Sequence, residues 1–364
     1  MEKKTSDIIH ADDLSNGVGT KLSQFLQSFK SSDDDLIWSE QYYYWKIKQN
    51  PAGSGLVSLA TSENNIVSSV SITPKLIWHR GKKIAGGEIG DTYTDKLFQR
   101  QGLFATLINE IKMRAHTSDY ELIYGVPNEQ SRPGYEKKCD FLSHPHFHLL
   151  SCIYLLNTPK IAANKKPGGF NQLLRFISPI LNRFLHTLHF FWRFLSWTSG
   201  IKVKTIHSVD ESYDLFWEKY KGQDDLLLIR DKAYLNFRFF KHPLAKYRFY
   251  EARKGNVLLG YLVSTIHQVH GRKDIFIADW FYNKKRPLAF FALLHRALKD
   301  GMMQKTGLFS TWVSNSSSDK WLLFLSGFIV RGKQPVIFHK NTLGIDILKN
   351  RDRWHFTPAD SDNV

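Results

Sequence analysis

The same order of predicted strands and helices occurs twice along the chain, about 185 residues apart, and this repeat limits the folds it can adopt. Alternating apolar and polar residues over 55–95 predict a meander of strands. The stretch LFATLINEIKMRAH, which begins at Leu103, has the apolar spacing of an amphipathic helix, and ELIYGV after it predicts a short strand. Residues 246–340 predict a hairpin, a strand, a helix, a strand, a short helix and a closing strand. We therefore expect an α/β fold of two similar halves, each a mixed β-sheet flanked by helices, produced by internal duplication.

Charge is distributed unevenly in this 364-residue chain, whose net charge is +16. Between Asp140 and Asp210 there is no acidic residue, whereas that interval contains Lys160, Lys165, Lys166, Arg175, Arg183, Arg193, Lys202 and Lys204. Such a block indicates an anionic partner, which is nucleic acid, acidic lipid or a phosphorylated substrate, or else it is a solvated basic linker.

Within this block, residues 170–197 combine Leu, Ile, Phe and Trp with polar residues every three or four positions, the pattern of an amphipathic helix. Its charges and Pro179 argue against a membrane-spanning helix. Two interpretations are open: a helix on an anionic membrane surface, and a helical linker packed across the junction of the halves. The interleaved apolar residues speak against nucleic acid.

We divide the chain into an N-terminal domain (1–155), a basic aromatic helical linker (156–210), a C-terminal domain (211–346) and a tail (347–364). The two cysteines, Cys139 and Cys152, have neither metal nor redox spacing, so we expect no disulfide. The N-terminus has no apolar stretch typical of a signal peptide. These features predict a cytoplasmic protein, with peripheral contact to the inner face of the membrane if the amphipathic helix binds lipid.

The segment 86–111 carries the clearest chemical signal. A predicted strand leads into Gln99-Arg100-Gln101-Gly102, which opens directly into the amphipathic helix. The first N–H groups of a helix lack partners within it and form the positive end of its dipole, so they suit a pyrophosphate. Gly102 lets a ligand approach the backbone closely. By itself the feature also fits an ordinary turn.

This segment resembles motif A of the GNAT acyltransferases, in which a strand is followed by Gln/Arg-x-x-Gly-x-Gly/Ala at the start of a helix. Gln99 and Gly102 match that motif, and Gly102-Leu103-Phe104 is similar to the Gly-Leu-Phe ending of a subset of the family. IYGVPNEQSRPGYEKKCDF resembles motif B, while YYYWKIKQNPAGSG and RDKAYLNFRFFKHPLAKY resemble segments that open the two halves of the same subset. The resemblance covers most of residues 38–340.

The resemblance implies two GNAT-like domains, the second degenerate, and acetyl-CoA as the acyl donor. Thr92, Tyr93 and Thr94 would meet the acyl thioester and the pantetheine arm. Asn128 would contact the pantetheine from the neighbouring strand. The pyrophosphate would be held by Gln99, Arg100, Gln101, Gly102, Leu103 and Phe104.

Glu88 and Asp91 are the candidates for the residue that accepts the proton of the amine. Period-two alternation places them on opposite faces of their strand, with Thr92 on the face of Glu88. We favour Glu88, because the resemblance implies an acid acting through water on this strand. Tyr135 is the candidate general acid, although it lies one residue before the usual position of that tyrosine in the family, which Glu136 holds.

The second half departs further from the motif, since Asn283-Lys284-Lys285-Arg286-Pro287 replaces the loop and contains no glycine. We infer that this half binds no acyl-CoA and shapes the acceptor pocket. His144, His146 and His148 alternate along a predicted strand, but no carboxylate or thiolate pattern accompanies them, and we expect no metal site.

The sequence thus predicts an N-acyltransferase, most simply an N-acetyltransferase, that acts on a small amine. By analogy with its subset, the acceptor would be an amino sugar of a surface-polysaccharide pathway. Two alternatives are a non-catalytic tandem GNAT module that binds a membrane surface or nucleic acid, and a Fem-type aminoacyltransferase that uses charged tRNA.

Overall fold

The computed structural model describes residues 6–15, 17–29, 39–155, 190–269, 272–304 and 306–362, together with Arg183, Thr187 and Leu188. Most of the predicted helical segment 170–197 therefore lies outside the described residues. The strands are β1 (Asp7–His10), β2 (Leu56–Ser62), β3 (Asn65–His79), β4 (Lys82–Thr94), β5 (Leu122–Gly125), β6 (Phe141–Leu155), β7 (Lys202–Ile206), β8 (Leu226–Leu228), β9 (Tyr247–Lys254), β10 (Val257–Val269), β11 (Arg272–Tyr282), β12 (Leu308–Ser314), β13 (Ile329–His339) and β14 (Trp354–His355).

The helices are α1 (Val18–Gln27), α2 (Glu40–Lys48), α3 (Leu103–Thr117), α4 (Arg132–Lys138), α5 (Ser212–Tyr220), α6 (Lys232–Leu235), α7 (Leu288–Met303), α8 (Asp319–Leu325) and α9 (Thr342–Asn350). They include those that the periodicity predicts, α3, α7 and the short α8, together with others that it does not predict. Local capping fixes several starts: the Ser39 side chain accepts a hydrogen bond from Tyr42 N at the start of α2, and Asn341 accepts one from Gly344 N at the start of α9. The α/β class and the repeated element order are confirmed.

All strands join one mixed sheet, with the order β1-β2-β3-β4-β5-β13-β6-β12-β11-β10-β9-β7, and β8 and β14 attached at β3. In each half a helix connects two strands that pair in parallel. α3 connects β4 to β5, and α7 connects β11 to β12. The closing strands are exchanged between the halves. β6 of the first half pairs with β12, while β13 of the second half pairs with β5.

This exchange makes the halves one sheet, because β6 and β13 also pair with each other over most of their length. Each half keeps its own apolar core around its crossing helix: α3 buries Leu107, Ile108 and Ile111, and α7 buries Phe290 and Leu294. The proposed boundaries at 155, 210 and 346 remain predictions.

The C-terminal segment enters the interior. Residues 354–361 are all buried, and Trp354 packs against Tyr124 of β5. Arg230 anchors this segment: its guanidinium donates to Asp360 Oδ1 at 2.7 Å and to Asp279 Oδ1 at 3.1 Å. The C-terminal segment is therefore firmly held, and it passes from the second half into the first half.

The described end of the basic segment is helical over residues 190–198 and packs on α7. The Trp192 ring stacks on Phe291 with a centroid distance of 3.8 Å, and Trp192 Nε1 donates to Leu325 O at 3.1 Å. Both contacts are with the second half, so packing across the junction of the two halves stays a prediction. Nowhere in the described parts of the chain does a helix have the length and apolar character needed to cross a bilayer.

Candidate functional site

A cleft opens where β4 and β5 part. Their parallel pairing ends at Glu88 and Tyr124, after which β4 continues alone to Thr94 and β5 turns to pair with β13. Gly125 stands at the point of divergence, where an added Cβ would lie 3.0 Å from the Ile89 side chain and 3.2 Å from its carbonyl oxygen. Beyond that point, the edge of β4 that would have paired with β5 faces the cleft, so its backbone groups can bond an extended ligand.

A β-bulge shapes the β4 side of the cleft. The register with β3 shifts between Ser69 and Ser71, and Asp91 has a positive φ of 49°. An extra residue reverses the alternation of side chains beyond it. The expected placement of Glu88 and Asp91 on opposite faces therefore fails, and both carboxylates belong to one buried cluster.

The turn after β4 leads to the start of α3. Gln99 Nε2 donates to Thr94 O at 3.1 Å, which ties the turn to the strand end. Arg100 and Gly102 both have positive φ values, 62° and 91°, and Gly102 is the N-cap residue that immediately precedes α3. Left-handed residues next to helical ones orient consecutive N–H groups towards one point, an arrangement that suits anions.

The side chain of Phe104 does not face this turn. It packs edge-on against the Tyr135 ring at 5.2 Å and lies against Gly134 of α4. Phe104 can therefore offer only its backbone N–H to a phosphate. A hydrogen bond across the cleft holds the tyrosine hydroxyl, because Tyr135 Oη and Thr92 Oγ1 lie 2.6 Å apart. Burial raises the pKa of Tyr135, so its hydroxyl is protonated at physiological pH.

Asn128 lies at the end of the β5 side, where its side chain holds a turn. Its Oδ1 accepts hydrogen bonds from Ser131 N at 2.8 Å and Gln130 N at 3.1 Å. The cleft is lined by Thr92 and Tyr93 on one side and by Asn128 and Tyr135 on the other. The structure thus brings together Thr92, Tyr93 and Asn128, three of the four residues that the resemblance implies around a pantetheine arm, whereas Thr94 is not among the lining residues.

Glu88 is buried and held from the C-terminal segment. Ser361 Oγ donates to Glu88 Oε1 at 2.7 Å, Asp362 N donates to Oε2 at 2.8 Å, and Lys75 Nζ lies 3.5 Å from Oε2. Burial, followed by the nearby charge of Asp362, raises the pKa of Glu88 to about 7, while Lys75 opposes the shift. A carboxyl group with this pKa can take and return a proton near neutral pH.

Asp91 is held differently, by a buried lysine. Its Oδ2 accepts hydrogen bonds from Lys46 Nζ at 2.6 Å and from Ser71 Oγ at 2.7 Å. Lys46 is 2 % exposed, and although burial disfavours its charge, Asp91 and Asp362 raise its pKa. The Asp91 carboxylate therefore stabilises a buried cation.

Asp362 joins the two carboxylates into one cluster. Its Oδ1 accepts a hydrogen bond from Lys75 Nζ at 2.8 Å, and its Oδ2 lies 3.2 Å from Lys46 Nζ. Burial alone would raise the pKa of Asp362, but Lys75 and Lys46 hold it below its ordinary value. Sequence reasoning missed Lys46, Lys75, Ser361 and Asp362. Only Lys46 lay in a quoted motif, and no local pattern links residue 362 to β4.

The corresponding opening in the second half is occupied by the protein itself. The side chain of His355 contacts Trp280 O of β11 at 2.9 Å, and Thr357 Oγ1 donates to Asp279 at 2.7 Å. Lys284 of the glycine-free turn is bound inward, with its Nζ 2.6 Å from Asp224 Oδ1. The C-terminal segment thus fills the place that the cleft holds in the first half.

The three alternating histidines lie on β6. His144 Nδ1 accepts a hydrogen bond from His146 N, and His148 Nδ1 lies 2.7 Å from Pro145 O. Among the residues that the structure describes, no group of three or more His, Cys, Asp or Glu side chains is arranged to hold a metal ion.

Solved structures with this fold include several N-acyltransferases. Saccharomyces cerevisiae N-myristoyltransferase with bound myristoyl-CoA aligns with a TM-score of 0.61 and 14% identity, over 96% of this chain and 88% of that one. A tandem GNAT protein from the clavulanic acid biosynthesis pathway aligns with a TM-score of 0.58 and 8% identity, over 92% of this chain and 98% of that one. A conserved Enterococcus faecalis protein described as a probable N-acyltransferase aligns at 0.59 and 11% identity, over 92% and 72%.

Comparison of the sequence alone finds no matching family model and no matching curated protein. At these low identities the structural likeness concerns the fold. The chain has the fold of the tandem GNAT proteins, with a large mixed sheet and helices on it.

Proposed function

We propose that the protein is an acyl-CoA-dependent N-acyltransferase that transfers an acetyl group to a primary amine. The observation that carries the proposal is the cleft between β4 and β5, which ends at the start of α3 and has the buried carboxyl of Glu88 at its base. The fold is shared with N-acyltransferases, one of them with myristoyl-CoA bound, which supports a coenzyme A donor.

In this arrangement the acetyl-CoA pyrophosphate lies at the turn from Gln99 to Phe104, bonded by backbone N–H groups. The pantetheine arm follows the free edge of β4 past Thr94 and Tyr93, with Asn128 on its other side. The thioester then reaches Thr92 and Tyr135. The second half takes no donor, because the C-terminal segment fills its equivalent opening.

The chemistry needs one proton acceptor and one donor. The amine nitrogen forms a bond to the thioester carbonyl carbon, and the bond from that carbon to sulfur breaks. Glu88 accepts the proton released by the nitrogen, directly or through water, and Tyr135 gives its proton to the departing thiolate. Asp91 is the alternative acceptor, although its bond to Lys46 suits it better to positioning.

For the acceptor we retain an amino sugar of a surface-polysaccharide pathway, and for the location the cytoplasm. The free, buried thiols of Cys139 and Cys152 fit a reducing compartment. A Fem-type enzyme that uses charged tRNA requires that acetyl-CoA does not bind in the cleft, whereas a non-catalytic module requires that no acyl group is transferred.

Calorimetric titration with acetyl-CoA tests the proposal, with one site per chain expected. Gly102→Asp should abolish binding, because its carboxylate would stand beside the pyrophosphate. Gly102→Asn is the matched control: Asn tolerates the left-handed conformation as Asp does, and it adds no charge. Equal affinity in wild type and Gly102→Asp would refute the donor site.

Peripheral contact with an anionic membrane is a second part of the proposal. On the described helix at 190–198, Phe190, Phe191, Phe194 and Trp197 are 50–74% exposed, next to Arg193. Exposed aromatic side chains beside basic ones suit a lipid interface, where each basic contact contributes about 1 kcal/mol.

Sedimentation with vesicles tests this contact. Wild type should pellet with vesicles containing anionic lipid, remain in solution with neutral ones, and be released by salt. Replacing Phe190, Phe194 and Trp197 by Ser should abolish pelleting while leaving the melting temperature unchanged, because these side chains are already in water. Pelleting that survives this change would refute the contact.

A further inference from the structure

A second cavity, the inner pocket, adjoins the base of the cleft. It shares Lys46 and Asp362 with the cleft and has a volume of about 180 Å³. An apolar cavity of roughly 150 Å³ can hold a benzene molecule, so this pocket accommodates one ring-sized group. An amine held there would lie next to the cluster that contains Glu88.

Both halves of the chain form the walls of this inner pocket. Trp45 from α2 stacks on Phe237 from the π-helical turn at Asn236–Phe240, with ring centroids 4.3 Å apart. Pro74 and Ile229 add further apolar surface. The aromatic wall can pack against the face of a ring or a short carbon chain.

The inner end of the same pocket is charged. Lys46, Lys75 and Arg238 are each no more than 7% exposed, and Asp362 is the carboxylate among them. A carboxylate accepts hydrogen bonds from an ammonium group, whereas lysine and arginine donate to oxygen. This end therefore suits a group with an amine and an oxygen close together, such as a 2-amino sugar or the first residue of a peptide.

An outer groove continues from the inner pocket to the surface. The two cavities share Lys83, Ile229, Asp231 and Ala233, and the outer groove has a volume of about 490 Å³. Its other lining residues are polar or aromatic: Trp78, Asp214, Trp217, Glu218, Lys221, Lys232 and Asn236. Several of the charges are already paired, including Lys221 with Glu218 at 2.6 Å. Such a surface suits a polar molecule without a large net charge.

The volumes indicate what size of acceptor fits. Small-molecule sites typically measure about 300–1,000 Å³, and the inner pocket alone is smaller than that range, whereas both cavities together fall within it. We propose that the acceptor is an elongated polar primary amine, whose amine-bearing group occupies the inner pocket beside Asp362 and whose remainder lies in the outer groove. This inference rests on the proposed acyl transfer and narrows its acceptor to extended molecules.

Two matched pairs of amines test the inference. Glucosamine is compared with its β-1,4-linked trimer, and glycinamide with triglycinamide, by measuring thiol release from acetyl-CoA. We expect the longer member of one pair to have a kcat/KM at least tenfold above the shorter one, a difference of about 1.4 kcal/mol. The pair that shows the preference identifies the acceptor as a saccharide or a peptide.

Substitutions at Ala233 and Ala52 distinguish the contributions of the two cavities to acceptor binding. Ala233 is exposed where they meet, so Ala233→Trp should remove the advantage of the longer amine, while Ala233→Ser should keep it. Ala52 lines the inner pocket and not the outer groove, and Ala52→Leu should weaken the use of both members of the pair. All three variants should bind acetyl-CoA as wild type does and melt at the same temperature.

Equal use of short and long amines by wild type would overturn the inference. So would an undiminished preference in Ala233→Trp, or acetyl-CoA binding without transfer to either extended amine. Failure of acetyl-CoA itself to bind is a different result, because it would remove the proposed function and not only its acceptor.

Discussion

Replacing Glu88 by Gln should change how the stability of the protein depends on pH. The raised pKa of Glu88, about 7 against an ordinary 4.5, means that the folded protein holds this proton at pH values where the unfolded chain has released it. Stability therefore falls as the pH rises from about 4.5 to 7. Gln has the shape of the protonated side chain and cannot ionise, so the variant should lack this fall.

The expected size of the effect follows from the shift. At about 1.4 kcal/mol per pKa unit, ionisation of Glu88 should cost wild type about 3 kcal/mol relative to Glu88→Gln across this pH range. Asp362 does not obscure it, because Lys75 and Lys46 keep the pKa of Asp362 well below the range. Titrations elsewhere are common to both proteins and cancel in the difference.

Urea unfolding at pH 5 and pH 8, followed by tryptophan fluorescence, measures this difference. A direct check is the 13Cδ spectrum of glutamate-labelled protein, where one resonance should titrate near pH 7 in wild type and be absent from Glu88→Gln. If the stability difference between the two proteins is the same at pH 5 and pH 8, Glu88 has an ordinary pKa and its proposed role as proton acceptor fails.

Two other variants test the second half of the chain and the surroundings of Glu88 separately. Changing Lys284, Lys285 and Arg286 together to Ala should leave the Kd for acetyl-CoA nearly unchanged. The same change should destabilise the fold by about 3 kcal/mol, because Asp224 would lose its buried cation. A tenfold loss of acetyl-CoA affinity in calorimetry would contradict the proposal that the second half takes no donor. Asp362→Asn should move the midpoint of the pH profile of kcat/KM to lower pH, because the charge of Asp362 helps to raise the pKa of Glu88; an unchanged or higher midpoint would contradict this.

Much of the fold was predictable because it depends on local pattern. The apolar spacing from Leu103 to Ala115 forms α3 in the structure, and the strands on both sides of it are present. Gly102 precedes that helix with the positive φ that a glycine adopts easily. The repeated element order likewise appears as two halves, each with a helix crossing between parallel strands.

Other features could not be predicted from local pattern. The bulge at Asp91 overturned the expected faces of Glu88 and Asp91, because alternation holds only while the register with β3 is unbroken. Phe104 replaces the final small residue of motif A and is similar to the ending of the subset, but its side chain packs on Tyr135. The exchange of β6 and β13 between the halves depends on pairing between strands far apart in sequence.

The sequence by itself predicted most strands of the two halves, the helices α3 and α7, and the glycine that precedes α3. The tertiary structure alone decided what surrounds Glu88. Lys75 comes from β3, and Ser361 and Asp362 come from a segment 273 and 274 residues away along the chain. Burial and neighbouring charge raise a carboxyl pKa only when the folded chain brings them together, so the raised pKa of Glu88 arises from the complete fold.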